Sequence, residues 1–450
     1  MYTFSSKLKI FSIVLIILGA VGVGIGFVNS HKSLDDVKEM LAHEASHSGH
    51  GDAHAEPAHD VNPAKADAHH AEASEHHGDE HVEHVMHQIH NRPYSALYVA
   101  AFFFMMISLG VLAFYAIQYA AQAGWSPLLF RVMEGITAYL LPGALIVLVI
   151  ALVAGDHIFV WMNPDMVDPA SEHFDKLVAG KKGWLNKTGF AIRGLIFIAG
   201  WVAYRFFSRK FSLAQDNAEK GDIRNFKKTF RISAAFLVFF IYTESMMSWD
   251  WIMSVDPHWF STLFGWYVFA SMFVSGITVI ALITMYLKSK GLLPQVNDSH
   301  LHDLAKFMFG ISVFWTYLWF SQFMLIWYSN IPEEVTYFIT RIEDYRLPFF
   351  GMLVLNFIFP LLVLMNSDYK RLPWFIVMAG VVILGGHYLD IFNMIMPATV
   401  GDRWFIGIPE IGSVLLFAGL FIFIVFSALS KAALHPKGNP LIEESEHFHY

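Results

Sequence analysis

The sequence predicts an all-α integral membrane protein with about ten transmembrane helices, arranged as two four-helix bundles plus flanking helices. Three observations carry that prediction. Apolar residues make up 55% of the 450 residues and charged residues only 15%, whereas soluble chains carry about a quarter charged residues. Ten apolar runs each approach the ~20 residues that a spanning helix needs. Lys and Arg fall at alternate ends of those runs, as a multi-pass topology requires.

Taken in order, the runs lie near 8–29, 95–121, 134–155, 189–207, 230–252, 261–287, 303–329, 346–366, 372–396 and 409–430. Lys7 and Lys9 precede the first. Arg205, Arg209, Lys210, Lys220, Arg224, Lys227, Lys228 and Arg231 cluster after the fourth. Lys288 and Lys290 follow the sixth, Lys370 and Arg371 the eighth, and Lys431 and Lys437 the tenth. If the spans alternate, all these cations share one side, which is then cytoplasmic, as are both termini. The first run has a basic start and an apolar core, like a signal peptide. Gly22, Gly24 and Gly26 precede no small-x-small cleavage site, and an uncleaved anchor over residues 1–30 is expected.

Residues 31–92 form a distinct exported segment, with thirteen of the 23 histidines between His43 and His90. Its composition predicts a largely disordered or loosely helical arm. Clustered imidazoles, such as His69-His70 and His76-His77, could bind a transition metal; a solvated linker that packs on a partner accounts for them as well, and no metal site is assigned. The first bundle is expected over 93–256, the second over 257–400, and the last helix with a cytoplasmic tail over 401–450. The short loop at Asp256-Pro257 divides the two bundles.

The chain has no cysteine, which excludes thiolate-held iron–sulfur clusters, covalent c-type haem and disulfides. At bilayer depth His387 has no second histidine to complete a haem ligand pair. No redox cofactor of the chain's own is expected.

Carboxylates at bilayer depth are costly and are retained with a partner or a task. The fifth run holds Thr243, Glu244, Asp250 and Ser254. Thr243, Asp250 and Ser254 share a face, with Glu244 about 100° away. Such a carboxylate with nearby hydroxyls suits a proton path, or an interhelical brace satisfied by Tyr242, Trp249 or Trp251. The ninth run places His387, Asp390 and Asn393 at successive i+3 positions after Gly385-Gly386, glycines that allow close helix approach. A proton relay and a structural His–Asp hydrogen bond both fit. The seventh run carries Thr316, Tyr317, Ser321 and Gln322, with Trp315, Trp319 and Gln322 on one face. These side chains could hold a water file or pin helix to helix. Arg193 is expected to snorkel to the headgroups, and Arg131–Glu134 to be a surface ion pair. Asp156, His157 and Trp161 lie where the third run emerges, and would line a quinone headgroup site in an alternative reading.

Residues 242–274 and 315–334 carry a resemblance, above all in S-W-D-W-I-M-S-V-D-P-H-W-F-S-T-L-F-G-W-Y and F-S-Q-F-M-L-I-W-Y-S-N-I-P-E-E. They resemble the large membrane subunits of alternative complex III, the bacterial quinol:cytochrome c oxidoreductase. Those subunits belong to the family of the polysulfide-reductase and nitrite-reductase D (NrfD-like) membrane anchors. The similarity covers about 95–430, and the first helix and His-rich arm resemble the F-type chain. In the C-type subunit the third helix ends in an H-x-G-R-x-W-like motif near the quinol site. Here R-V-M-E-G-I-T at 131–137 resembles the start of that helix, but D-H-I-F-V-W at 156–161 lacks the Gly-Arg.

The resemblance therefore implies the F-type role in the respiratory chain: a non-redox subunit of the bacterial inner membrane, beside the quinol-binding subunit, that supports a proton half-channel or braces the complex. Glu244, Asp250, His387 and Asp390 would form or border the path. It also implies a multihaem cytochrome c subunit, an iron–sulfur subunit and a C-type quinol-binding subunit as partners, with a terminal cytochrome oxidase as a further one. Haem c, iron–sulfur clusters and quinol would then reside in those partners. A direct quinol-binding subunit and a purely structural scaffold are the alternatives.

Overall fold

The computed structural model describes residues 2–48 and 69–449. Among them there is no strand, and ten helices are long and apolar enough to cross a membrane. This is an all-α, multi-pass membrane protein. The spans are α1 (Ser6–Ser30), α2 (His81–Ala120), α3 (Pro127–Val153), α4 (Lys187–Asp216) and α5 (Arg224–Val255), then α6 (Phe264–Ser289), α7 (Asp298–Ser329), α8 (Arg346–Leu364), α9 (Pro373–Val400) and α10 (Ile408–Leu429).

Helices α2, α3, α4 and α5 touch in a ring, and α6, α7, α8 and α9 touch in a second ring. The rings share a seam where α2 meets α6 and α9, and α5 meets α6. Helices α2 and α6 are almost wholly buried. They can lie this close because a Cβ at Gly110 would stand 2.3 Å from the Met272 carbonyl oxygen, and one at Gly276 2.8 Å from the Val111 nitrogen. Small residues at a crossing let backbones approach where lipid offers no hydrophobic drive between helices.

The same device joins α1 to α10 at the flank. The buried residues of α1 include Ser12, Gly19 and Gly26, one every seven residues, and a Cβ at Gly19 would fall 2.2 Å from the Leu416 nitrogen. Gly22 meets Gly412 in the same seam. Outward, α1 presents Ile10, Phe11, Ile17 and Leu18, an apolar face suited to lipid.

Helix ends follow local chemistry. Asn186 accepts from the Gly189 nitrogen at 2.7 Å to start α4, and Asn297 with His300 forms a capping box on α7. Asn330 takes the left-handed conformation that ends α7 (φ 49°). Helix α8 widens into a π-turn at Val354–Ile358 just before Pro360, whose ring removes a donor and crowds the preceding turn.

Loops at each end bind one another. At the basic end Asn297 donates to the Phe448 carbonyl (2.6 Å), Ser445 to that of Trp125 (2.7 Å), and the Gly438 nitrogen to Asp216 (3.1 Å). At the opposite end Asn91 donates to the Thr399 carbonyl (3.2 Å), Lys181 to that of Pro257 (2.5 Å), and Arg403 pairs with Glu44 (2.7 Å).

Two features go beyond the sequence expectation, and residues 49–68 of the arm lie outside the described residues. The described parts of the arm are helical: Leu34–Ser48 is one helix, and the helix that carries the α2 span starts upstream of it at His69 and runs unbroken through Pro93. Val37, Val82 and Val85 close a small apolar seam between them, packed by Leu34, Leu41 and Met86; a few well-spaced branched residues suffice to pair two helices. The side chains of His69, His70, His76 and His77 lie outside the described residues. In addition, the acidic stretch after α7 contains an amphipathic helix, Pro332–Glu343, which buries Tyr337, Phe338 and Arg341.

Candidate functional site

The densest polar cluster lies in the second ring, where α6, α7 and α9 meet. The i+3 spacing on α9 turns His387, Asp390 and Asn393 to one buried face. On α6, Tyr267, Ser271 and Ser275 recur at i+4 and face it. Asp390 is fully buried and accepts three hydrogen bonds: from the Tyr267 hydroxyl, from Ser271 Oγ at 2.9 Å and from Trp315 Nε1 at 2.8 Å. His387 Nδ1 lies 2.9 Å from Ser271 Oγ and 3.4 Å from Asp390 Oδ2. Asn356, inside the π-turn of α8, approaches the same nitrogen at 3.4 Å. His387 Nε2 and Asn356 Oδ1 are buried with no hydrogen-bond partner.

The glycine pair before His387 divides its roles. A Cβ on Gly386 would lie 2.1 Å from Asn356 Oδ1, whereas Gly385 faces open space. Gly386 is what lets the π-turn reach the histidine. Tyr267, Asp390, Ser271 and His387 are thus successive proton-bearing groups at or near hydrogen-bond distance, an arrangement along which a proton can be passed.

One turn from this cluster, Gln322, Trp319 and Asn393 surround a small cavity with Tyr267 and Arg341. Arg341 comes from the amphipathic helix and is 4% exposed. It donates to the carbonyls of Asn393 (2.9 Å) and Tyr337 (2.8 Å) and stacks 3.3 Å from the Tyr337 ring centroid. Sequence reasoning missed Arg341 because it lies between hydrophobic runs; only the amphipathic spacing of Tyr337, Phe338 and Arg341 signals that it points inward. Of the α7 candidates, Gln322 is buried here. Thr316 donates to the Ser312 carbonyl of its own helix (2.9 Å), Ser321 is half-buried, and Tyr317 is 64% exposed on the outer face.

Asp250 is placed differently, in the first ring. Arg193 grips it through Nε (2.6 Å) and Nη2 (3.1 Å), and Trp184 Nε1 donates at 2.8 Å. Arg193 therefore does not snorkel away from the protein; it turns inward to neutralise a buried carboxylate and stacks on Trp184 at 4.2 Å. The donors expected from Tyr242, Trp249 and Trp251 are not the ones used: Tyr242 faces outward, and the Trp249 and Trp251 nitrogens have no partner. Glu244 is buried near the α5–α6 contact. It accepts from Ser248 (3.1 Å) and Ser245 (3.5 Å), with no cation within 4 Å among the described residues. Thr243 accepts from Trp201 Nε1 at 3.0 Å, and Ser254 donates to the Asp250 carbonyl at 2.5 Å.

Asp156, His157 and Trp161 do not converge on a common pocket. Asp156 is exposed and pairs with Lys187 at 3.0 Å. His157 stacks on Tyr94 (4.1 Å) with Nδ1 2.9 Å from Asn91 Oδ1, and burial pushes its pKa below the usual histidine value. Trp161 is buried and donates to Ser254 Oγ at 3.3 Å. A separate groove of about 420 Å³ opens nearby, walled by Trp184, Trp249, Met253, Trp259 and Phe260. The indole nitrogens of Trp249 and Trp259, two residues of its wall, are buried and unpartnered.

At the basic end, Arg131 and Glu134 form an interior pair rather than a surface one. They meet at 2.6 Å, both nearly inaccessible, and Arg131 also reaches Asp216 at 2.5 Å. Tyr115 donates to Glu134 at 3.0 Å, and Arg209 lies 3.6 Å from it. Arg131 and Glu134 are closed over, while Arg209 and Asp216 stay partly exposed. Among the described residues no three His, Asp or Glu side chains group as metal ligands. No protein-family model and no curated protein matches this chain.

Proposed function

We propose that this chain is a cofactor-free membrane subunit of a bacterial respiratory quinol:cytochrome c oxidoreductase, supporting a proton half-channel and assembly beside the quinol-binding subunit. The resemblance of residues 242–274 and 315–334 to alternative complex III supports the family reading. The observation that carries the proton role is the connected Tyr267–Asp390–Ser271–His387 chain at the heart of the second ring. In this reading the basic end and both termini face the cytoplasm, and the arm lies outside. Asp390 and His387 exchange the proton, Gln322 and Asn393 lead toward the outer end, and Asp250, held by Arg193, braces the first ring. Glu244, with hydroxyl partners only, stands at the seam between the rings.

The partners proposed are a multihaem cytochrome c subunit, an iron–sulfur subunit and a C-type quinol-binding subunit. Affinity isolation of the tagged chain from native membranes tests the assignment. Co-isolated c-type haem, iron–sulfur signals and quinol:cytochrome c activity are expected; isolation of the chain without them overturns it.

A second reading, direct quinol binding, is favoured by the apolar, aromatic groove between Trp184, Trp249, Trp259 and Phe260, which suits a quinone ring better than the dispersed Asp156 and His157 do. Photo-crosslinking with an azido-quinone distinguishes the readings: label on Trp249 or Trp259 supports quinol binding here, and label confined to a partner subunit supports the proton role.

A further inference from the structure

The basic end of the molecule carries a cavity of about 540 Å³ between the start of α1 and the end of α6, within the range of about 300–1,000 Å³ that ligand clefts occupy. Lys7, in the first turn of α1, and Lys290, directly after α6, stand on its wall. No acidic residue lines it, and the first turn of α1 holds none. Neither lysine pairs with a carboxylate among the described residues. The segment ahead of α1 is pinned in place: the rings of Tyr2 (6.0 Å) and Phe4 (6.2 Å) pack on Phe426 of α10, as does Tyr286 of α6 (5.3 Å). Tyr2, another wall residue, is only 4% exposed. Its hydroxyl is buried without a hydrogen bond of ordinary geometry, and Tyr286 is its neighbour. Further along α1 the wall turns apolar with Leu8 and the exposed Phe11.

Two ammonium groups without carboxylates and a phenol hydroxyl call for an anion with several oxygens. The apolar wall at Leu8 and Phe11 calls for a tail on that anion. Both lysines flank the apolar part of a spanning helix, the depth at which lipid phosphates lie, and basic pockets between such helices suit anionic headgroups. A zwitterionic headgroup would bring an ammonium of its own to a wall that has no carboxylate to receive it. We propose that Tyr2, Lys7 and Lys290 hold the phosphate of one anionic phospholipid, with an acyl chain running along α1 past Phe11. The large cavity at the opposite end differs in kind: Glu44 stands among its cations and pairs with Arg403. The lipid site does not depend on the chain's moving protons.

The test is thermal unfolding of the purified, delipidated full chain in dodecyl maltoside micelles. Phosphatidylglycerol or phosphatidylcholine with identical acyl chains is titrated in, and free glycerol 3-phosphate separately. The wild type should show a saturable rise in Tm with phosphatidylglycerol, and none with phosphatidylcholine or glycerol 3-phosphate. Lys7 and Lys290 are exposed, so their replacement leaves the fold intact. Lys7→Gln and Lys290→Gln should each raise the half-saturating phosphatidylglycerol concentration roughly fivefold. Tyr2→Phe keeps the ring on Phe426 and should also raise it, through the lost hydrogen bond. Lys220→Gln, which removes an exposed cation between α4 and α5, should change nothing. Equal responses to the two lipids overturn the site, as does a phosphatidylglycerol response that the double variant Lys7→Gln, Lys290→Gln retains. A response to glycerol 3-phosphate as large as that to the lipid overturns it too, since the anion alone would then suffice.

Discussion

Asp250 and Asp390 are the same residue type, both fully buried in membrane-spanning helices, yet their surroundings give them different work. Asp250 is locked by a two-pronged guanidinium and an indole, so removing the cation strands a buried charge, at a cost of about 3–5 kcal/mol. Arg193→Gln should therefore lower the midpoint of thermal unfolding markedly, while the paired change Arg193→Met with Asp250→Leu should recover most of the loss. A paired variant no better than the single one would show that the pair does more than brace. His157 gives a residue-scale pH prediction. Its pKa is depressed below 6.5, chiefly by burial, so the neutral form is favoured in the folded protein. The stability it contributes is present above pH 6.5 and is lost as pH falls from 6.5 toward the lower folded value. Unfolding scans between pH 7.5 and 5.5 should show a decline that His157→Asn reduces; equal declines would contradict it. The i+3 spacing of His387, Asp390 and Asn393 was readable in the sequence because one helix sets it. Arg193–Asp250 and Trp315–Asp390 were not, because they join residues 57 and 75 apart, and spacing along the chain says nothing of such contacts.

At the scale of elements, hydropathy located all ten spans but not their ends. Helix α2 extends far upstream of its apolar run, and α7 begins at Asp298, since a helix continues into polar surroundings without a change that hydropathy registers. The Pro332–Glu343 helix hid in an acidic loop for the converse reason: its apolar residues line one face and average out along the chain. The α1–α10 seam was legible in principle from small residues seven apart, although in the sequence the glycines of α1 served only as an argument against cleavage. Gly19→Ile should force α1 from α10, against backbone 2.2 Å away, and lower stability by about 1–3 kcal/mol or more. Gly24→Ile, with nothing within 4 Å, should be silent. Thermal unfolding of the two variants checks the contrast; equal behaviour would contradict the packing described for α1.

Across the whole molecule, two rings of four helices share the α2–α6 seam, and each ring holds a buried aspartate treated differently: neutralised in the first, linked to hydroxyls and an imidazole in the second. The first arrangement fixes a charge; the second offers a route for one. The two could not be told apart from sequence alone, where each is an acid in an apolar run with polar side chains a turn or two away. In the proposed role, bracing and proton transfer would occupy separate rings. The most direct measurement is proton uptake per quinol oxidised by the assembled complex carrying Asp390→Asn. A path through Asp390 predicts intact assembly with uptake clearly reduced, whereas unchanged uptake and turnover in the assembled variant would contradict it.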